Sequence, residues 1–144
     1  MSRVLLIAAD QPLPLCNFQE TRTTHLRTSG YLASLTAEMG FKIEEHRYYR
    51  SATDELGYPI KPYQYELSLE KNETDLQNLR DYLTQHLAPG QTIQLWNLWV
   101  GDPYGVRRPV QHCGRLADFD METLEQFFPN PAQDDSQCWL TITV

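Results

Sequence analysis

The hydrophobic period changes within one short stretch of the chain, and this change constrains the fold more than any other feature. From Tyr63 to Leu69 apolar residues alternate with polar ones, which is the period of a half-buried strand. Asn72 then offers a good helix N-cap, and leucines recur at helical spacing until Ala88-Pro89-Gly90 ends the element. These leucines are Leu76, Leu79, Leu83 and Leu87. The pattern predicts a strand followed by a helix that packs its leucine stripe against a sheet.

Four further segments have the character of strands. Val4 to Ala9 and Thr92 to Val100 carry apolar residues on both faces, so each is predicted to be a central strand covered on both sides. Phe41 to Tyr49 alternates, and we expect it to pair antiparallel with the strand that begins at Tyr63. Cys138 to Val144 is predicted to be the last strand.

The remaining segments are predicted to be helices and loops. Ser29 to Met39 is predicted to be a helix because Leu32, Leu35 and Met39 fall on one helical face and Gly40 follows as a stop. Asp120 is predicted to cap a short helix. Ser51 to Tyr58 carries turn residues, and Gly101 to Asp118 is predicted to be a long loop, a kind of segment that is often functional.

These elements predict an α+β fold. The expected architecture is a mainly antiparallel sheet with the helices on one face, in the βαββαβ order of ferredoxin-like folds, followed by a C-terminal helix and strand. A chain of 144 residues fits one globular domain, residues 1–144.

Charge and cysteine content narrow the classes of partner. Nineteen acidic residues against twelve Lys and Arg give a net charge of −7, which repels nucleic acid, and residues 1–30 are the only stretch that is not acidic. Three unpaired cysteines favour reduced thiols over a disulfide framework. The apolar run from Val4 to Ala9 is too short for a signal peptide or a membrane span. We therefore expect a cytoplasmic protein that binds neither membrane nor nucleic acid.

Common catalytic and cofactor motifs are missing. The sequence contains no phosphate-binding glycine loop, no dinucleotide fingerprint, no HExxH, no CxxC and no GxSxG. Because His112 and Cys113 are adjacent, their side chains point apart in an extended chain and are poorly placed to share a metal. We expect no metal and no cofactor, and the missing motifs favour a protein that is not an enzyme.

One cluster of residues could nevertheless bind an anion. Arginines, a histidine and hydroxyls precede the predicted helix start, where backbone N–H groups favour negative charge, and an aspartate ends the first strand. The candidate residues are Asp10, Arg22, His25, Arg27, Ser29 and Gly30. The alternative function is therefore a small enzyme or ligand-binding domain for an anionic substrate, with His25 as general base in hydrolysis or group transfer.

Aromatic residues suggest the preferred function, which is protein interaction. Five of the eight tyrosines fall within eighteen residues, and tyrosine and tryptophan are enriched at interfaces. The candidate docking residues on the tyrosine-rich strand pair and the 101–118 loop are Tyr48, Tyr49, Tyr58, Tyr63, Tyr65, Trp96, Trp99, Arg107 and Arg108. We expect a small acidic binding protein that docks a protein partner or itself, by analogy of size and charge with toxin-immunity proteins.

Overall fold

The central strand is covered on both sides, and a seven-stranded sheet is built around it. The computed structural model describes residues 2–28, 30–101, 108–128 and 137–144. Its strands are β1 (Ser2–Ala9), β2 (Cys16–Asn17), β3 (Glu20–Thr28), β4 (Tyr31–Met39), β5 (Lys42–Glu45), β6 (Tyr63–Ser68), β7 (Thr92–Val100), β8 (Val110–Arg115) and β9 (Cys138–Thr143). Its helices are α1 (Arg50–Glu55), α2 (Glu73–His86) and α3 (Met121–Phe127), with a 3-10 turn at Leu116–Asp118. The fold is therefore mixed α+β.

The main sheet is almost entirely antiparallel. Its strand order is β2-β5-β6-β1-β7-β9-β8, and β8 and β9 form the one parallel pair that the described residues contain. The predicted pairing of the strand after Phe41 with the strand at Tyr63 is confirmed, since Ile43 lies opposite Leu67. β3 and β4 form a separate two-stranded sheet.

The leucine stripe packs as predicted. Asn72 caps α2 by accepting a hydrogen bond from the backbone N–H of Asp75 at 2.8 Å. The helix then buries Leu79 and Leu83 against Ile7 and Leu95 of the sheet, and α3 covers the same side. We call this side the helix face.

The opposite side of the sheet carries a second core, which corrects the prediction that all helices lie on one face. Leu6 of β1 and Trp96 of β7 belong to this core. Ala52 of α1 and the segment that follows it, including Leu56, pack onto it. We call this side the α1 face. The alternation of β1 and β7 between the two cores confirms the prediction of doubly covered central strands.

Three local predictions are wrong. The residues predicted as a helix from Ser29 to Met39 form the strand β4, with Ser29 itself outside the described residues, so the described elements do not follow the order βαββαβ. The predicted turn at Ser51 to Tyr58 overlaps α1, which begins at Arg50. The predicted loop from Gly101 to Asp118 contains β8, and its residues 102–107 lie outside the described residues. No helix within the described ranges has the length and apolar character needed to cross a membrane.

The two-sided core predicts which leucines stabilise the fold. Leu79→Ala removes a fully buried side chain and is expected to lower the free energy of unfolding by about 2–5 kcal/mol. The same substitution at Leu15, which is 53% exposed, is expected to change it by less than about 0.5 kcal/mol. Urea denaturation of both variants measures the difference, and equal losses would contradict the packing of α2 described above.

Candidate functional site

A β-hairpin projects from the edge of the main sheet. Cys16 of β2 lies opposite Ile43 of β5, and Glu20 of β3 lies opposite Met39 of β4, so one register runs through both ladders without an inserted residue. Between the ladders the backbone N–H of Phe18 donates to the Phe41 carbonyl at 2.8 Å. We call the projecting part, residues 20–39, the arm.

The base of the arm is fixed by packing. The Phe18 ring stacks on the buried Phe41 at 5.9 Å between centroids. Gly40 is buried with a φ of +131°, and an added Cβ would lie 3.2 Å from the Phe18 carbonyl oxygen, so a side chain there would be strained. Arg22 also forms an ion pair with Glu70 of the body at 3.4 Å. The arm therefore leaves the body in a defined direction.

Beyond its base the arm is exposed. All of the side chains described on β3 and β4 are exposed, including Leu32 at 72% and Leu35 at 61%. Nine residues per strand give a ribbon about 30 Å long. A two-stranded ribbon without a packed face is marginally stable in water. The arm is thus an element that gains stability when another surface covers it.

The structure separates the residues of the predicted anion site. Cross-strand pairing places Arg22 opposite Ala37, and His25 and Arg27 opposite Ser34 and Leu32. Because alternate residues of a strand point to opposite faces, Arg22 lies on one face of the arm and the other two lie on its other face.

The other members of the anion site are separated too. Asp10 forms an ion pair with Lys61 at the end of β1. Gly30 lies in the hairpin turn with a φ of +84°, and Ser29 is outside the described residues. No helix begins at this point, so the N–H groups expected to hold an anion belong to a strand ladder instead. The predicted convergence on one pocket is therefore not what the fold provides.

The predicted tyrosine surface is divided between the two sides of the sheet. Tyr65 packs against the core of the helix face, and its hydroxyl accepts a hydrogen bond from the Leu13 N–H at 2.9 Å. Tyr49 and Tyr58 pack on the α1 face, and Tyr48, 86% exposed, contacts Tyr49 edge to face. Tyr63 points to the same face of β6 as Tyr65. The five tyrosines therefore do not form one docking face.

The two tryptophans of β7 face opposite sides, as predicted. Trp96 is fully buried on the α1 face, whereas Trp99 lies on the other side with the Arg3 guanidinium 4.2 Å from its ring centroid. Arg108 is exposed at the beginning of the described segment before β8, and Arg107 lies outside the described residues.

An aromatic stack crosses the α1 face and borders a cleft. Trp96 lies between Tyr58 and Trp139, with ring centroids 6.0 and 4.2 Å away and interplanar angles of 10° and 15°. The cleft has a volume of about 640 Å³, and Arg108 and Gln111 form its other wall. We call it the aromatic cleft. The sequence around Trp139 carries no signal of this role, because its place beside Trp96 depends on the pairing of β7 with β9.

A carboxylate, an imidazole and a hydroxyl lie in line beneath α1. His46 Nε2 lies 2.8 Å from Thr53 Oγ1, and His46 Nδ1 lies 3.6 Å from Glu66 Oε1. Although this order is that of a nucleophile, a base and an acid, Thr53 is 1% exposed and its hydroxyl donates to the Arg50 carbonyl at 3.1 Å. The geometry serves packing between β5, β6 and α1, because a substrate cannot reach the hydroxyl.

Burial shifts the pKa values of His46 and Glu66 in opposite directions. Desolvation lowers the pKa of His46, and the Arg50 charge lowers it further against the opposing effect of Asp54. Desolvation also raises the pKa of Glu66, with a further contribution from Glu44, which lies directly opposite it in the ladder. His46 Nδ1 and Glu66 Oε1 have no hydrogen-bond partner among the described residues, and the 3.6 Å between them is too long for a hydrogen bond.

The thiols lie apart from one another, and all three are free. Cys138 is buried and donates to the Phe127 carbonyl at 3.3 Å, and burial raises the pKa of its thiol to about 11. Cys113 is exposed on β8, whereas His112 belongs to the opposite face of that strand. No three His, Cys, Asp or Glu side chains within the described ranges are grouped so that they could hold a metal ion.

The buried histidine predicts a pH dependence of stability. Below the ordinary pKa of 6.5 the unfolded chain binds a proton that folded His46 binds less readily, so the free energy of unfolding falls as pH falls through this window. The raised pKa of Glu66 acts in the opposite direction above its ordinary value of 4.5. His46→Gln is expected to flatten the decline below pH 6.5 in urea denaturation series. His25→Gln on the exposed arm is the matched control, and equal flattening in both variants would contradict the assignment to His46.

Comparisons of the chain with models of known protein families, with curated proteins and with solved structures found no match. The arm and the aromatic cleft are both exposed, and of the five tyrosines from Tyr48 to Tyr65 it is Tyr58, in the segment after α1, that lines the cleft.

Proposed function

We propose that this chain is a protein-interaction module that docks through the arm, and that its partner there is a second copy of the chain. The observation that carries the proposal is the exposed outer edge of β4. Among the described residues no strand pairs with this edge. A long strand edge with free backbone groups is a template for pairing with another chain.

The β4 edge lacks the usual protection against pairing. From Tyr31 to Ala37 the strand contains no charged residue and no proline. The outer strand on the other side of the arm, β3, carries Arg22 and Arg27, which are the charges that natural proteins place on edges to prevent association. The two edges of one ribbon therefore differ in the way expected when one of them is used for binding.

The sequence of β4 favours a second copy as the partner. It is chemically symmetric about Leu35, with Ser34 and Thr36 on either side and then Ala33 and Ala37. If two β4 strands pair antiparallel about a two-fold axis at Leu35, each alanine faces an alanine and each serine faces a threonine. Such pairing is isologous and matches similar side chains from Ala33 to Ala37, whereas Leu32 faces Glu38 at each end of this central stretch.

Pairing of two β4 strands also widens the two-stranded arm into a larger sheet. The order β3-β4-β4-β3 is a four-stranded sheet, and one of its faces carries Leu35 and Met39 from both copies. Neighbouring apolar side chains across the axis contribute about 0.2–1 kcal/mol per pair, and each added backbone hydrogen bond contributes about 0.5–1.5 kcal/mol. Several weak contributions along a long edge account for association without a large apolar patch.

The enzyme hypothesis receives no comparable support. Its proposed residues lie on both faces of the arm and at the end of β1, and the buried Thr53 hydroxyl is inaccessible. General acid–base chemistry needs these groups within hydrogen-bond reach of one substrate. We therefore place function in binding.

Introducing a charge of either sign at Leu35, on the proposed two-fold axis, tests the proposal. Leu35→Lys places two ammonium groups opposite each other and is expected to weaken dimerisation at least about tenfold, as is Leu35→Glu with two carboxylates. Mixing the two variants pairs opposite charges and is expected to restore the dimer. Analytical ultracentrifugation over a wide range of protein concentration measures the association.

Thr24→Lys is the matched control. Thr24 lies opposite Leu35 on the same face of the arm, but it belongs to β3, which is not the strand proposed to pair. This variant is expected to dimerise like the original chain. A monomer at every concentration, or a dimer that neither Leu35 variant weakens, would overturn the proposal. A mixture that stays monomeric would place the axis elsewhere and contradict the pairing described here.

A further inference from the structure

The aromatic cleft on the α1 face has the composition of a small-molecule site. Its floor and one wall come from three elements distant in the sequence, namely the segment after α1, β7 and β9. Its volume of about 640 Å³ lies within the range of about 300–1,000 Å³ typical of ligand pockets. Three of the lining residues are aromatic, Tyr58, Trp96 and Trp139, and aromatic rings beside a few polar groups are common in such pockets.

Trp139 ends the aromatic stack inside the cleft. Trp96 has a ring stacked on each of its faces, Tyr58 on one and Trp139 on the other. Trp139 stacks on Trp96 alone among the described rings. Trp139 is half-buried, so part of its indole surface faces the cleft. A planar ring of a ligand can extend the stack there, because bases and other planar rings stack on aromatic side chains.

Some polar groups of the cleft are bonded within the fold and others are not. The Tyr58 hydroxyl accepts a hydrogen bond from Gln137 Nε2 at 3.2 Å. The Trp96 N–H donates to Gln94 Oε1 at 3.0 Å, whereas the Trp139 N–H and the Arg108 guanidinium bond to none of the described residues. The Gln111 amide makes one weak contact, with the Cys113 sulfur at 3.8 Å. The wall therefore presents donors, one of them permanently charged, beside an open aromatic surface.

Charge identifies the ligand class. The chain has a net charge of −7, and its arginines at positions 3, 22, 47 and 50 lie against an aromatic ring or an acidic side chain of the chain itself. Arg27, Arg108 and Arg115 have no such partner among the described residues, and of these three Arg108 is the one that lines the aromatic cleft. A guanidinium recognises a phosphate or carboxylate through paired hydrogen bonds. We infer that the aromatic cleft binds a small planar aromatic molecule that carries an anionic group.

Two sources supply this chemistry, a nucleotide and an aromatic carboxylic acid. Adenosine monophosphate and indole-3-acetate are suitable probes, with adenosine and inorganic phosphate as controls that keep only the ring or only the anion. The cleft shares no residue with the arm, so binding does not depend on the proposed dimer.

Isothermal titration calorimetry and tryptophan fluorescence test the inference on the whole chain. Saturable binding of at least one probe is expected, together with fluorescence quenching, and each control is expected to bind at least about tenfold more weakly. Binding of adenosine monophosphate alone identifies a nucleotide site, and binding of indole-3-acetate alone identifies a site for aromatic acids. Absence of saturable binding by both probes would overturn the inference.

Variants separate the two halves of the site. Arg108→Gln is expected to weaken the bound probe about tenfold or more by removing the charged contact, while the matched change Arg115→Gln on β8, outside the cleft, leaves binding unchanged. Trp139→Leu is expected to weaken binding and quenching, and Trp139→Phe, which keeps an aromatic face, is expected to retain binding. Equal binding by Arg108→Gln and the original chain would also overturn the inference. Circular dichroism checks that each variant is folded.

Discussion

The fold depends on β1, a strand that is apolar on both faces and paired on both edges. β7 pairs with it from Ser2 to Ala9 and β6 from Leu6 to Ala9, and its side chains alternate between the helix face and the α1 face. Since both sides must be removed from water, one layer of helices is insufficient. The short α1 and the segment that follows it supply the second cover, and the aromatic cleft lies at the border of that cover.

The parts of the fold that could be predicted from the sequence are those where local pattern and tertiary environment agree. The alternation at β6, the Asn72 cap and the leucine stripe of α2 each satisfy local preference and burial together. β4 was mistaken for a helix because Leu32, Leu35 and Met39 also fit helical spacing, although Leu32 and Leu35 occupy opposite faces of the strand. The threonines between Thr21 and Thr28 and the Ser29-Gly30 dipeptide are the sequence signals that favour a hairpin.

The sites were harder to predict than the elements for a physical reason. The aromatic stack of Tyr58, Trp96 and Trp139 forms because β9 pairs with β7 and because the chain after α1 packs on the sheet. Neither contact can be read from the residues next to these rings in the sequence. The same holds for His46 and Glu66, which become a buried pair only when α1 closes over them. By contrast, the separation of His112 from Cys113 follows from strand geometry alone and was predicted correctly.

The edges of the two sheets show how the chain controls association. In the main sheet, β2 is only two residues long, and β8 carries Gly114 and Arg115. On the arm, β3 carries two arginines. Short strands, glycine and charged side chains all disfavour pairing of an edge with a strand of another chain. Each either weakens the new hydrogen-bond ladder or places an unpaired charge beside it. Among the described edges, β4 therefore differs from the others, because from Tyr31 to Ala37 it has neither charge nor proline and its residues from Ala33 to Ala37 are arranged symmetrically about Leu35. A binding edge is expected to have this composition, and for this reason the proposed dimer is placed at β4.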